Sequence, residues 1–434
     1  MRLSTSLRLN AQKGLVTPYD PTLTLSLQFA ARQAYVSDFG PLPTFTNAST
    51  TRTYVGSDGL LKTAATNVPR IEFNPVTRQC LGLLIEEQRA NLTARSEDLT
   101  IAPWSTGASG AVADQTTAPD GANTADSLAE TTANTQHYIL NASSVTSGTV
   151  YTASVFVKKG NGSTAPDWIA FGFIAAGFGT ARASFNMQTG VFGGNTGITA
   201  TKAVQFQNGW WRISVTATAT ATTGIGGLLL NFTNNSNTHS SIPGYAGQTT
   251  SNVFVWGAQF EAGSFATSYI PTTTAPLTRS ADVCSITGAA FTGFYNQTEG
   301  AIVLKMDKSE VITLAGGQIN YAVFDDGTAN NTILLAQRTT GETLRVVDLS
   351  IGQALIGLTL AAANQLFGIS ARYKVNDFAI STNGLSVATD PLGTVPSSLN
   401  RFIFSQTGNS IHIRSFQYFN AIKTNAQLQA LSTP

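Results

Sequence analysis

The chain has 434 residues, enough for two or three domains that each bury their own core. Charged residues make up 11% of it, well below the roughly 25% of an average soluble domain, and Thr, Ala, Ser, Asn and Gly take their place, which excludes long surface helices laced with i, i+4 charge pairs. Its 25 basic and 24 acidic residues are scattered and leave a net charge of +1, so there is no field to gather nucleic acid or anionic lipid, and neither is expected as a partner.

Taken in chain order, the first segment, 1–35, mixes short apolar pairs with Pro18 and Pro21 and is expected to be an N-terminal arm. It offers no apolar run of signal-peptide length, and no later stretch approaches a membrane span, so synthesis and folding in the cytoplasm are expected. Residues 36–92 hold short strand-like pieces punctuated by Gly40-Pro41-Leu42-Pro43, Ser57-Asp58-Gly59 and Asn74-Pro75, which predicts a small lead-in β module.

Residues 93–271 read as strands throughout. Val150-Tyr151-Thr152-Ala153-Ser154-Val155-Phe156-Val157-Lys158 is rich in β-branched and aromatic residues. Two alternating runs, Ala203 to Gln207 and Trp210 to Thr216, flank Asn208-Gly209, the strongest short signal for a β-hairpin. With Trp168 to Ile174, Leu228 to Phe232 and Val253 to Phe260, these strands predict a sandwich or jelly roll.

Pro271, the threonine run 272–274 and Pro276 suit an extended linker over 272–278. From 279 to 434 a second set of strands follows, with tight turns at Asp326-Gly327 and Asn383-Gly384 and a short terminal helix starting near Asn425. The predicted fold class is therefore all-β: two consecutive antiparallel β-sandwich (jelly-roll) domains, preceded by an N-terminal arm and a small lead-in module. Cys80 and Cys284 fall in different modules, and both are expected as buried free thiols.

Several blocks resemble a group of tailed-bacteriophage virion proteins of the tail-fibre, head-fibre and carbohydrate-binding structural type. They are Phe45-Thr46-Asn47-Ala48-Ser49-Thr50 with Tyr54-Val55-Gly56-Ser57-Asp58-Gly59-Leu60, then Gly82 to Leu92, Ser96-Glu97-Asp98-Leu99, Trp104, Val255 to Glu261, and Ser268-Tyr269-Ile270-Pro271-Thr272. The resemblance implies a carbohydrate-binding-like first sandwich and a laminin-G or concanavalin-like second one. It also implies location in the virion, partners among capsid, portal or tail proteins, a host-surface glycan as ligand, and a homo-oligomer such as a trimer.

Candidate binding residues are aromatic. Trp210 and Trp211 are neighbours on a strand and point to opposite faces, so one of them is either an exposed platform for a sugar ring or covered by another module. Trp168 and Tyr245 pose the same question. The turn Asp325-Asp326-Gly327-Thr328-Ala329-Asn330-Asn331 gathers hard oxygen donors, with Asp325, Asp326 and Asn330 as calcium candidates. Ordinary turn chemistry accounts for the same residues, and no cofactor is expected.

Catalytic patterns are weak. The second sandwich carries no Glu-x-Asp-x-x-Glu carboxylate cluster of the concanavalin-like glycosidases, and adjacent Glu86 and Glu87 diverge on a strand, better suited to pairing with Arg70, Arg78 or Arg89. Gln136-His137-Tyr138 superficially resembles lyase chemistry but lacks the accompanying basic motif, and His239 and His412 stand alone. The expectation is a binding and structural protein that is not an enzyme; a polysaccharide-depolymerising tailspike and a ligand-free capsid decoration protein are the rivals.

Overall fold

The computed structural model describes residues 20–162, 164–308, 318–338, 341–358, 365–404 and 410–434. Two antiparallel β-sandwiches dominate it, as the composition and strand pattern lead one to expect.

The first sandwich is contiguous in sequence. Its near sheet, on the side of the second sandwich, has the strand order Ser109–Thr116, Ala125–Glu130, Asn252–Ala262, Val150–Lys159, Trp211–Thr218, Ala200–Gln205. Its far sheet runs Val191–Thr196, Arg182–Asn186, Trp168–Phe173, Thr223–Phe232, Tyr138–Val145, Trp104–Gly107. Ile169, Phe171, Phe185, Val155, Ile213 and Phe260 meet between them as a fully buried core. The Asn208-Gly209 turn forms as predicted, with φ of 58° and 79°, the positive values that the right-handed twist of a tight hairpin demands.

Alternation fails in one informative place. Along Val150–Lys159, Ala153, Val155 and Val157 face the sandwich core, yet Phe156 on the opposite face is buried as well. The hairpin Arg52–Val55 and Leu61–Ala64 lies over that outer face and encloses a second apolar layer of Val55, Leu61, Phe156, Phe206, Trp210 and Trp256. A strand covered on both sides loses the polar half of its pattern.

The second sandwich is assembled from both ends of the chain. One sheet orders Ser37–Phe39, Leu23–Leu27, Ser410–Phe419, Glu299–Lys308, Gln365–Lys374, Phe378–Thr382, Ala388–Asp390, and Arg70–Phe73 with Cys80–Glu86 joins it alongside Ser410–Phe419. The facing sheet orders Ile351–Leu358, Gly341–Asp348, Thr332–Arg338, Gln318–Asp325, Arg401–Phe404, Val283–Thr287, Thr44–Thr46. Leu25, Leu27, Phe45, Leu83 and Ile85 share one core with Phe324, Phe402, Phe416 and Tyr418. Gly82, at φ 118°, lets Cys80–Glu86 bend against its neighbour, because a Cβ there would strike the Ile413 carbonyl.

Two expectations need correction. The arm predicted over 1–35 ends sooner: residues 1–19 lie outside the described residues, but Leu23–Leu27 pairs with Leu23 opposite Phe419 and Leu27 opposite Phe416, inside the sheet. Pro18 and Pro21 drew attention away from the alternation Leu23-Thr24-Leu25-Ser26-Leu27. The lead-in module of 36–92 is likewise divided, its hairpin 52–64 covering the first sandwich and its other strands completing the second. The first sandwich is thus an insertion, entered by Arg89–Asn91 and left by Leu277–Arg279, which pair antiparallel where a free linker was expected over 272–278. The terminal helix spans Asn425–Leu431; its cap is Thr424, in a reciprocal capping box with Gln427, rather than Asn425. Cys80 and Cys284 are buried and free.

Candidate functional site

Where the two crossings meet, the chain buries a group of charges. Arg52, Arg70 and Arg279 are fully buried, and they surround Glu86 and Asp282. Arg70 reaches Asp282 at 2.5 Å and Glu86 at 2.8 Å, Arg52 lies 3.6 Å from Asp282, and Arg279 pairs with Glu86. Ser268 extends the network by donating its N–H and its hydroxyl to Glu86 at 2.8 and 2.6 Å. Burial pushes the Arg279 guanidinium down to about 9, with Arg70 and Arg52 acting in the same direction and Asp282 opposing them. Charges taken out of water persist only when paired and hydrogen-bonded, so each member depends on the others. The expected partnership of Glu86 with Arg70 is present, and Glu87 pairs with Arg89.

Next to this junction the sandwiches leave a cleft of about 310 Å³. Its floor on the second sandwich is a cross-strand row. Leu84 faces both Arg70 and His412, and His412 faces Asp307. Ile411 and Ile413 point into the core, so the period-2 rule turns His412 outward into the cleft. The opposite wall comes from the edge of the near sheet, where Lys202 is registered with Ser214 and Val204 with Arg212. Val55, Leu61, Phe73, Phe206 and Tyr269 supply apolar surface.

Within the cleft His412 Nε2 lies 2.6 Å from Glu72 Oε2, and Glu72 Oε1 accepts the Val55 N–H at 3.0 Å. Burial raises the Glu72 carboxyl, but the hydrogen bond and charge of His412, the Val55 amide and Arg70 outweigh it and hold the group below the usual carboxylate range. His412 Nδ1 has no hydrogen-bond partner among the described residues, although the ring is 4% exposed. Arg212 donates to the Thr267 carbonyl at 2.8 Å and lies over the Phe156 ring.

The aromatic candidates serve elsewhere. Trp210 is 1% exposed beneath the 52–64 hairpin and donates to the Thr117 carbonyl at 3.0 Å, which removes it as a sugar platform. Trp211, half-buried, packs edge-on to Phe185 at 5.9 Å and donates to the Met187 carbonyl. Trp168 is half-buried on the far sheet. Tyr245, also half-buried, donates to Glu130 and tilts over the ring of His137, which is fully buried between the carbonyls of Ala108 and Tyr245. The covering-module alternative thus accounts for Trp210, and core packing for Trp211.

At the 325–331 turn Asp325 pairs with Arg401 and accepts the Gly327 N–H. Asp326 accepts the Thr328 N–H and hydroxyl through Oδ1 and the Asn331 amide through Oδ2. Asn330 donates its N–H to the Thr328 hydroxyl. Every one of these groups has a partner within the turn or on Arg401, which corrects the alternative calcium assignment in favour of turn chemistry.

Sequence reasoning overlooked Arg52, Glu72, Arg279, Asp282 and the role of His412. The available signal was polarity on the pleat: Arg70-Ile71-Glu72-Phe73 and Ile411-His412-Ile413 place charged or titratable residues at alternate positions of strands in a chain poor in charge.

No family model and no curated protein matches the chain. Among solved structures it is similar to a sialidase from Streptococcus pneumoniae, at 13% identity over 35% of this chain and 26% of that one, with a TM-score of 0.28. It is similar to the receptor-binding domain of botulinum neurotoxin mosaic serotype C/D, at 12% identity over 35% and 39%, TM-score 0.29. The binding domain of Paraclostridial Mosquitocidal Protein 1 matches at 10% identity over 35% and 43%, TM-score 0.28. In each case less than half of the matched chain is spanned.

Proposed function

We propose that this chain is a structural and ligand-binding component of a tailed-bacteriophage particle, a fibre or decoration protein that holds two sandwiches as one unit toward a host-surface glycan and performs no catalysis. What supports this is where the phage-like blocks fall in three dimensions. Glu86 and Asn91 from the first, Ser96 from the second, Gln259 and Glu261 from the third, and Ser268, Tyr269 and Thr272 from the last interlock at the junction. Asn91 donates to the carbonyls of Ala258 and Ile270, Ser96 and Tyr269 share a 2.6 Å hydrogen bond, and Gln259 accepts the Ile270 N–H at 2.7 Å. The residues that carry the resemblance therefore build the joint that makes two sandwiches rigid, the quality a display protein needs.

The buried acids support binding without hydrolysis. Glu261 is engaged by Gln259 and by the amide and hydroxyl of Thr267, and Glu86 by arginines, so neither is placed to act as an acid or nucleophile on a polymer. A surface of Thr, Asn and Gln offers neutral hydrogen bonds to sugar hydroxyls, and assembly into a homo-oligomer with other virion proteins would raise weak single-site affinity by avidity. Gold-labelled antibody against the chain should decorate phage particles from the source culture; label confined to particle-free lysate would overturn the virion assignment. On a host-glycan array the chain should be retained without releasing reducing sugar, and release would establish a depolymerase instead.

A further inference from the structure

We propose that the cleft between the sandwiches is the carbohydrate site, taking a neutral mono- or disaccharide unit between the His412–Glu72 pair and the apolar wall around Val204 and Phe206. This inference rests on the glycan-binding reading above and gives it a location that the aromatic residues of the sequence did not.

The first support is size and chemistry. At about 310 Å³ the cleft is at the lower end of small-ligand pockets, matched to one or two sugar rings rather than a large cofactor. One wall is polar and the other apolar, and a pyranose ring has the same two characters: hydroxyls around its edge and a C–H face that packs on Phe206 and Val204. The second is charge. Glu72 faces His412, Glu86 is answered from behind by Arg70 and Arg279, and Lys202 and Arg212 stand across from Asp307, so no uncompensated sign selects an ion.

The third is the unmet nitrogen. With Nε2 against a carboxylate, the shared proton sits on Nε2, and Nδ1 is left as an acceptor in the neutral ring or a donor in the imidazolium. A buried polar atom without a partner carries a cost that natural folds avoid unless a ligand or water answers it. A sugar hydroxyl both donates and accepts, so it satisfies Nδ1 in either protonation state. Glu72, tied to the Val55 amide as well, fixes the ring orientation and acts as a positioning residue.

The test is isothermal titration of the full chain with glucose, galactose, N-acetylglucosamine and lactose, alongside the glycan array. Saturable binding of at least one sugar is expected. Val204→Trp, on the edge strand Ala200–Gln205, should fill the cleft and weaken that binding by about tenfold or more with the melting temperature unchanged. His412→Gln retains a donor toward Glu72 but loses Nδ1, and should weaken binding by a similar factor. Trp168→Ala on the far sheet should leave binding intact. Binding undiminished in Val204→Trp would overturn this location while leaving glycan recognition standing; wild-type protein that binds neither the free sugars nor the array would overturn both.

Discussion

The two sandwiches reach similar architecture by opposite routes. The first is contiguous between Trp104 and Ala262 and closes on itself, whereas the second needs strands from residues 23–86 to flank Ser410–Phe419 on both sides. The contiguous unit meets the split one through a network in which three arginines and two acids are fully or almost fully buried. Contacts between residues some 200 positions apart, such as Arg70 with Asp282, cannot form until both crossings are in place. An inserted domain thus leaves its host sandwich dependent on distant sequence, and the joint becomes the part of the molecule least tolerant of change.

The largest effect expected from that asymmetry concerns dissection. Residues 279–434 expressed alone should show no cooperative thermal transition, since they lack Leu25, Leu27, Leu83 and Ile85 of the shared core. Asn91 and Leu277 are register partners, so joining 20–91 directly to 277–434 through a short hairpin turn should restore a two-state melt by circular dichroism. A folded 279–434 fragment would show that the split is only apparent.

Next in size is the joint itself. Glu86→Ala strands Arg70 and Arg279 without their partner and should cost about 3–5 kcal/mol in urea denaturation. Lys62→Ala, which breaks the surface pair with Asp58 on the covering hairpin, should change stability little. Equal effects from the two would remove the distinction between buried joint and exposed hairpin.

A smaller effect lies within the first sandwich. Asp126, 1% exposed, is pushed up to about 6 by burial, against the opposing amides of Leu99 and Asp114 and with some help from Asp98 and Asp114. Between the ordinary value of 3.8 and about 6 the folded protein holds this proton more tightly than the unfolded chain. Stability from this group is therefore greatest below that window and declines as pH rises through it, by roughly 1–3 kcal/mol in total. Asp126→Asn should flatten the stability-versus-pH curve between pH 4 and pH 6 relative to wild type. An unchanged slope would mean that Asp126 is not the titrating group.

The smallest expected effect is none at all. Chelator should leave the melting temperature where it is, because Asp325 and Asp326 already satisfy Arg401 and the turn amides. A drop of several degrees restored by calcium would show that the far turn, unlike the joint, depends on a ligand.

Local chemistry was legible wherever it was sufficient. Val150–Lys159, Gln318–Asp325, Thr332–Arg338 and the Asn208-Gly209 hairpin follow from β-branched runs and residues that accept positive φ, interactions complete within a few positions of the chain. Ser410–Phe419, the central strand that both chain ends join, passed unnoticed because Arg414-Ser415 interrupts its apolar alternation where the neighbouring strand shifts register.

The amino-acid sequence by itself determined the β class, two sandwich cores, their turns and the absence of a strong charge field, since each depends on periodicity and composition. Only the tertiary structure decided which face of a strand is covered twice, so that Trp210 became core rather than a platform. It also decided which acids meet which arginines, and that His412 would leave one nitrogen unpaired beside Glu72 in the cleft. These last features depend on side chains from strands hundreds of residues apart, and alternation along one strand says which face a residue occupies but not what will lie opposite it.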